Sequence, residues 1–513
     1  MRRLIAVGTI VALCIAGAAS LASAGLLDDI KSKLPIPDPE QKAKEEARKK
    51  LQLQIPDLDR ILGEEPGLTT SFDDAVTGIP FFDDYEPAYT APLCQLPTLP
   101  QGGFLISVPG DFEFEAASYC LHAGTHGPGS GEGYLYATLK GSQAGIITDI
   151  LNNSTRHLDI PQQHIQSLVW GIQAKTKISD MPPELRDAAS RLLSQSQVSK
   201  LNGGALGMVP DELFDQAFFD VPAPLRTVME AEARLRSNLT GGLFDYGALE
   251  EIAVLSGDPP DDGEGPVIPR GRWSFDPAGY FVRYFPDGYS HTTVQIMRPD
   301  SFTIEVDPLG RIVAIANSFG SRISLEYDDQ VAPLQCERDD KTKGYAFKLI
   351  RFSRPDPGNA GQDLVAELND VGWTLLGAPT ERGRPRDPGD RYDDAAGRYE
   401  WGQAHLKEIQ QVAGSSNDAA DREKAIPELV NLGHLSQALL AVTGDAAADV
   451  PWIGQQVAMV KQAWGARLSA LLAPETAPRV TAHHDGRMLA ALPFHGISLA
   501  RRGGGYSGGG AAV

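Results

Sequence analysis

The strongest constraint on the fold is a change in hydrophobic period at an acidic linker. Before the linker, Ile165, Leu168, Val169 and Ile172 follow the spacing of one apolar helix face. The linker itself, SGDPPDDGEGP at 256–266, has no apolar residue. After it the period becomes two, with Asp-, Pro- and Gly-containing turns about ten residues apart. We therefore predict an α+β multidomain protein with a small β plus helical head, an antiparallel β-meander and a helical C-terminal region.

The length of 513 residues is enough for about two to four such units. An apolar stripe that includes Ile453, Val457, Val460 and Trp464 indicates a helical core or a helix–helix seam near the C-terminus. The predicted segments are a signal peptide (1–24), a charged linker or helix (25–66), the head (67–255), an acidic linker (256–270), the meander (271–352), an irregular Pro-, Gly- and Arg-rich segment (353–400), a helical region (401–475) and a flexible tail (476–513).

The N-terminus predicts export. Arg2 and Arg3 precede the apolar and small-residue stretch 4–21, and Ala22-Ser23-Ala24 forms a small-x-small cleavage site. The alternative interpretation of this stretch is a membrane anchor. We expect a secreted, periplasmic or cell-surface protein with no stable membrane span after signal removal.

The net charge of −21 disfavours a nucleic-acid partner or a peripheral membrane role, because such a surface repels phosphates and anionic lipids. No phosphate-binding loop, dinucleotide fingerprint or His-Glu-x-x-His motif occurs in the sequence, so no cofactor is predicted.

Cysteine usage leaves several possibilities open. Without the signal, the chain keeps Cys94, Cys120 and Cys336, an odd number that leaves at least one thiol outside any internal disulfide. One interpretation is a purely structural envelope protein with a Cys94–Cys120 disulfide and a buried Cys336.

A second interpretation makes Cys120 reactive, because it precedes a glycine-rich loop with two histidines in AASYCLHAGTHGPGSGEGYLY (116–136). A secreted hydrolase or acyltransferase would pair the Cys120 thiolate with His122, His126 or His157. Cys120, His122 and His126 are also a weak zinc set, since a second matched ligand pair is absent from the sequence.

The acidic and aromatic segment TTSFDDAVTGIPFFDDYEPAY (69–89) has two interpretations as well. Its carboxylates could hold calcium, but the spacing of an EF-hand loop is absent. A docking loop is therefore favoured. The carboxylates are Asp73, Asp74, Asp83, Asp84 and Glu86.

Two short motifs are similar to those of bacterial thioester domains, which occur on surface adhesins. They are Tyr119-Cys120-Leu121 and the apolar-Gln-x-x-apolar-Trp pattern around Gln166 and Trp170. The resemblance covers roughly 104–200. It implies that the Cys120 thiol attacks the Gln166 amide, that ammonia leaves, and that Trp170 shields the resulting thioester from water. Such a thioester captures amines on a partner surface.

The segment after 271 loosely resembles the RHS/YD repeats of bacterial secreted proteins. The residues that carry this resemblance are Asp307-Pro308-Leu309-Gly310-Arg311 and the stretch from Gly320 to Tyr327-Asp328, with a weaker echo at 392–398. An unrelated meander with Asp-Pro-Gly turns explains the same pattern.

Together these observations favour a non-enzymatic, secreted or envelope-surface interaction or adhesion protein. Its partner would be a protein or surface amine, which Cys120 and Gln166 could capture covalently. The cysteine-dependent enzyme and the disulfide-bridged structural protein are the alternatives.

Overall fold

The structure is a computed structural model. It describes residues 67–70, 75, 82, 85–97, 104–129, 131–203, 223–242, 244–256, 268–336, 339–376, 419–472, 479–483, 489–491, 496–499 and 508–512. The predicted signal peptide and the charged segment 25–66 lie outside these residues. Within them, no helix combines the length and apolarity that a bilayer crossing requires.

The secondary structure confirms the predicted α+β class. The strands are β1 (Ala91–Pro92), β2 (Phe104–Leu105), β3 (Gly110–Cys120), β4 (Thr125–His126), β5 (Tyr134–Tyr136), β6 (Val254–Leu255), β7 (Ser274–Asp276), β8 (Tyr280–Asp287), β9 (His291–Arg298), β10 (Phe302–Val306), β11 (Ile312–Asn317), β12 (Arg322–Tyr327), β13 (Leu334–Cys336), β14 (Asp339–Pro355), β15 (Asp363–Asn369), β16 (Trp373–Leu376), β17 (Arg479–His483), β18 (Leu489–Ala491), β19 (Gly496–Leu499) and β20 (Gly508–Ala512). The helices are α1 (Ala144–Ser154), α2 (Gln162–Gln173), α3 (Pro183–Leu192), α4 (Gln195–Asn202), α5 (Ala223–Thr240), α6 (Tyr246–Ala253), α7 (Ala419–Thr443), α8 (Ala446–Asp449) and α9 (Trp452–Leu472).

The central element of the head is the long strand β3. It lies in an eight-stranded sheet with the order β5-β19-β20-β3-β9-β8-β7, and β1 pairs beside it. Phe112, Phe114 and Ala116 are buried at alternate positions, as expected for a strand with one face in a core. Farther along the strand, Tyr119 joins a second core with helices α1 to α3, α5 and α6. β3 therefore packs into two cores. Phe112 and Phe114 belong to the core of the sheet, and Tyr119 belongs to the core formed with the helices.

The first strands after residue 271, which the sequence assigns to the meander, join the head sheet. β9 pairs antiparallel with β3 from Gly110↔Arg298 to Ala117↔His291, and β8 and β7 continue the sheet beyond it. The strands over 274–298 therefore belong to the head sheet. Their alternating pattern is the same as that of the meander, so period alone does not reveal which strand they join.

The meander proper is a seven-stranded sheet formed by β10 to β16. Its order is β10-β11-β12-β14-β13, and β15 and β16 pair with different parts of β14. The segment 353–376, predicted to be irregular, supplies the end of β14 and both of these strands. Residues 377–400 lie outside the described part of the chain.

The predicted C-terminal helical region is present as α7, α8 and α9. Ile315, Ile323 and Ile350 of the sheet share a core with Leu435 and Leu468 of the helices. The stripe predicted as a core or helix seam is fully involved in this packing; its members Ile453, Val457, Val460, Trp464, Leu468 and Leu471 are all buried. The tail, predicted to be flexible, contains β17 to β20, and β19 and β20 join the head sheet.

Two aromatic residues of the segment predicted as a docking loop, Phe82 and Tyr85, are buried in the core between the head sheet and α9. Phe82 is fully buried, with its ring 4.8 Å from that of Phe281 and 5.7 Å from that of Trp464. Glu86 receives two hydrogen bonds from the buried Arg283, at 2.9 and 2.7 Å. Asp73, Asp74, Asp83 and Asp84 lie outside the described residues.

The Asp-Pro-Leu-Gly-Arg motif forms the turn between β10 and β11. Asp307 accepts hydrogen bonds from the backbone N–H groups of Leu309 and Arg311, both at 2.9 Å. The Arg311 guanidinium is 2.7 Å from the other Asp307 oxygen and stacks 4.4 Å from the ring centroid of Tyr327. Arg311 therefore joins the β10–β11 turn to Tyr327 at the end of β12.

A buried carboxyl in the head sheet makes the stability dependent on pH. Burial raises the pKa of Asp276 from 3.8 to about 7, although hydrogen bonds from the Ala278 N–H and Tyr280 lower it. The folded state therefore binds this proton more tightly than the unfolded state. The resulting stability is complete below about pH 4 and is lost as the pH rises through about 7.

Asp276→Asn should remove this dependence. From about pH 5 to about pH 8 the wild-type protein should lose about 2 to 3 kcal/mol relative to the variant. Thermal unfolding of both proteins at several pH values measures the difference. Asp287→Asn, at an exposed position of the same hairpin, controls for the loss of one negative charge. A pH-independent difference between wild type and Asp276→Asn would contradict the assignment.

Candidate functional site

The candidate site is at the C-terminal end of β3, where Cys120 meets helix α2. Gln166 lies on this helix, 46 residues farther along the chain and 2 % exposed. The backbone N–H of Cys120 donates to Gln166 Oε1 at 2.8 Å, and Gln166 Nε2 donates to the Cys120 carbonyl at 2.8 Å. Both polar ends of the amide are therefore bound by the same residue.

This pair of bonds continues the β ladder with a side chain. The partner strand β9 reaches Ala117 of β3, and the Ser118 N–H donates to the Ser290 carbonyl just beyond the end of β9. At Cys120 the Gln166 amide takes the place of a strand residue. A side-chain amide has the same donor and acceptor as a peptide group, so it can satisfy an exposed strand end.

Gln162 binds the same strand one helical turn earlier. Its Nε2 donates to the carbonyls of Ser118 at 3.1 Å and Ser290 at 2.7 Å. Four residues of helix rise about 6 Å, and two residues of strand rise about 6.6 Å. The glutamines at i and i+4 of α2 therefore match alternate residues of β3, which fixes the helix along the strand.

The Cys120 thiol is held by the tight turn that follows it. Its Sγ donates to the His122 carbonyl at 3.1 Å, and Thr125 Oγ1 donates to the same oxygen at 2.7 Å. Gly124 has φ = 70°, and a Cβ there would lie 2.6 Å from the Thr227 carbonyl oxygen. Only glycine fits this turn without displacement of α5, so the glycine-rich sequence has a local steric cause.

Trp170 lies one turn after Gln166 and is fully buried. Its ring stacks on that of Tyr246, with centroids 6.0 Å apart and an interplanar angle of 18°, and lies 6.3 Å from that of Tyr289. Its indole N–H has no hydrogen-bond acceptor among the described residues. The side chain is therefore an apolar wall one helical turn from Gln166.

Two tyrosines and a glutamate next to this wall are connected by hydrogen bonds. The hydroxyls of Tyr246 and Tyr289 are 2.6 Å apart, and the Tyr289 hydroxyl donates to Glu250 in a short hydrogen bond. Burial raises the pKa of Tyr246; the bond with Tyr289 lowers it, and negative charge on Glu250 and then on Cys120 raises it again. Tyr246 is thus electrostatically coupled to the Cys120 sulfur.

The histidines predicted as partners of the thiol differ in their positions. His122 contributes its backbone carbonyl to the thiol, and His126 follows in β4. His157 Nδ1 lies 3.2 Å from the guanidinium of Arg191, which is paired with Asp159. His157 therefore contacts the Arg191–Asp159 ion pair.

The predicted Cys94–Cys120 disulfide is absent, because both residues are thiols in the structure. They belong to different cores. Cys94 packs against the sheet core that contains Leu93 and Phe104, whereas Cys120 packs against the helical core. The side chain of Cys336 lies outside the described residues.

The sequence offers two disfavoured cation sites, calcium on the carboxylates of 69–89 and zinc on Cys120, His122 and His126. In the described part of the chain, no three His, Cys, Asp or Glu side chains are placed to hold a metal ion. Glu86, the described member of the acidic segment, is instead paired with Arg283 at 2.7 Å.

Sequence reasoning found Cys120, Gln166 and Trp170 but missed the residues around them. Gln162 could have been found as the i−4 neighbour of Gln166 on the same helix face. Tyr246, Glu250 and Tyr289 had no comparable signal, since they come from two separate elements that only the folded chain brings together.

The backbone contact holds the Gln166 amide next to the residue that carries the thiol. The Cys120 N–H already donates to the amide oxygen at 2.8 Å, within the range of an oxyanion-stabilising donor. The thiol is on the same residue, and the Gln166 amide is almost fully buried.

No protein-family model matches the chain, and comparisons with curated proteins and with solved structures give no match either.

Proposed function

We propose that this is an exported surface interaction protein that captures amines through an internal thioester between Cys120 and Gln166. The observation that carries the proposal is the two-point hydrogen bonding of the Gln166 amide to the Cys120 backbone. It holds the acyl carbon against the residue that bears the thiol. The partner would be a protein or another surface that presents primary amines.

The reaction needs no co-reactant. The Cys120 sulfur adds to the Gln166 carbonyl carbon, the new S–C bond replaces the C–Nε2 bond, and the thiol proton leaves with the nitrogen as ammonia. The Cys120 N–H stabilises the negative charge that develops on Oε1. In capture, a partner amine adds to the same carbon, sulfur leaves and is protonated, and an amide joins the two proteins.

The test is the intact mass of the unreduced chain from residue 25 onward, with and without methylamine. We expect a mass short by one ammonia, and a methylamine adduct located at Gln166 after treatment. Cys120→Ala should show neither change. This variant should fold normally, because Gln166 binds the backbone of residue 120 rather than its side chain.

The matched control is Gln163→Ala, an exposed glutamine on the same helix turn. It should react like the wild type, whereas Gln166→Ala should be inert. A wild-type mass without ammonia loss would overturn the thioester, and a mass short by two hydrogens would instead reveal a disulfide.

A further inference from the structure

Glu250, Tyr289 and Tyr246 form a chain of hydrogen bonds near the Cys120–Gln166 site. Tyr246 and Glu250 are one turn apart on α6, and Tyr289 comes from the turn between β8 and β9. Among the described residues, no lysine or arginine forms an ion pair with Glu250. This carboxylate is therefore paired with the Tyr289 hydroxyl rather than with a cation.

The hydrogen bonds in this chain have a single direction. A tyrosine hydroxyl carries one proton, and that of Tyr289 is donated to Glu250. The bond of 2.6 Å between the tyrosines must then be donated by Tyr246. The Tyr246 oxygen consequently has lone pairs left to accept a proton from another group.

The acceptor end of the chain lies beside Trp170, and negative charge on Cys120 acts on Tyr246. The Tyr246 ring stacks on Trp170, which is one helical turn from Gln166. Tyr246 and Cys120 pack against the same helical core. Glu250 is half-buried and can exchange protons with solvent, whereas Trp170 is fully buried.

We propose that Tyr246, Tyr289 and Glu250 form a proton relay for the formation and aminolysis of the Cys120–Gln166 thioester. This inference rests on the proposed thioester function. During formation, the thiol proton passes to Tyr246 while each hydroxyl passes its own proton toward Glu250. The relay then returns a proton to the departing nitrogen, so that ammonia leaves and no charge remains.

Aminolysis uses the same groups. The attacking amine loses a proton to Tyr246, and the leaving Cys120 sulfur receives one, so the relay ends as it began. Concerted transfer along the hydroxyls avoids a free tyrosinate. Burial disfavours that anion, because burial raises the pKa of Tyr289, as do its hydrogen bonds to Glu250 and Tyr246.

Other titratable groups near the relay must be considered in any pH profile. They are Cys120 and Tyr119, which interact electrostatically with Tyr246.

The test compares the methylamine reaction rates of the full exported chain and of Glu250→Gln, followed by intact mass between about pH 6 and about pH 9. General acid–base catalysis contributes about 10²- to 10⁴-fold, so we expect Glu250→Gln to react at least about tenfold more slowly. Its pH profile should follow the ionisation of methylamine alone. Tyr246→Phe, which keeps the ring on Trp170, should behave in the same way.

The control is Glu251→Gln, which removes an adjacent exposed carboxylate. Equal rates and pH profiles for the wild type, Glu250→Gln and Tyr246→Phe would overturn the relay and leave the thioester intact. A wild-type protein that never loses ammonia would overturn the thioester itself, and the relay with it. A merely structural role of Glu250 would lower the melting temperature without a change in the pH profile.

Discussion

Trp170→Ala is expected to lower the free energy of unfolding by about 3–5 kcal/mol, the usual effect of removing a fully buried large aromatic side chain. The side chain is fully buried and supports both Tyr246 and Tyr289. Its loss would leave a cavity between α2, α6 and the β8–β9 turn. Urea unfolding followed by far-ultraviolet circular dichroism measures the change.

Trp170→Phe separates packing from polarity at this position. Phenylalanine keeps an aromatic surface and removes the indole N–H that has no acceptor among the described residues. A buried unsatisfied donor is itself costly, so we expect this variant to lose much less stability than Trp170→Ala. Similar losses for both variants would show that ring volume is not what stabilises the site.

Phe82→Ala is the second substitution with a large expected effect, again about 3–5 kcal/mol. The ring of Phe82 lies between Phe281 of the head sheet and Trp464 of α9. A Cβ at Gly465 would be 2.9 Å from this ring, so α9 approaches it as closely as sterics allow. The variant should uncouple α9 from the head sheet and broaden thermal unfolding measured by calorimetry.

The control for Phe82 is Phe319→Ala, because Phe319 is 67 % exposed at a hairpin tip. Its replacement should change stability by less than about 0.5 kcal/mol. Since the Cys120–Gln166 contact involves neither Phe82 nor α9, ammonia loss should persist in both variants. Normal calorimetric behaviour of Phe82→Ala would show that the segment around residue 82 does not join the two parts.

Local periodicity was enough to predict helix α2 and the C-terminal helices. The spacing of Ile165, Leu168 and Val169 indicates one buried face, and all three are buried. The long-range partners of β3 were not predictable in this way. β7 to β9 read like any alternating strands, and the pairing of β9 with β3 depends on contacts about 180 residues apart, for example Gln295 with Glu113.

The sequence identified the residues of the candidate site that have a recognisable side-chain motif, but not the contacts between them. Cys120 and Gln166 were identified from their motifs, but the contact between them runs through the Cys120 backbone. Every residue except proline has the same backbone donor and acceptor, so this contact has no sequence signature. The Tyr289–Glu250 bond likewise joins two segments whose proximity only the folded sheet and α6 determine.

The geometry of the Gln166 amide determines how the head would differ once an amine has been captured. The Gln166 amide nitrogen carries two hydrogens. Because Oε1 accepts from the Cys120 N–H, only the hydrogen on the same side of the C–N bond as Oε1 can reach the Cys120 carbonyl. A secondary amide prefers the trans form by about 2.5 kcal/mol, and in this form the nitrogen substituent takes the place of that hydrogen. In the proposed reaction, ammonia alone can therefore restore the original strand cap. Any larger amine would leave the Cys120 carbonyl without its donor, so covalent attachment would loosen α2 from β3 and mark the occupied head with a local structural change.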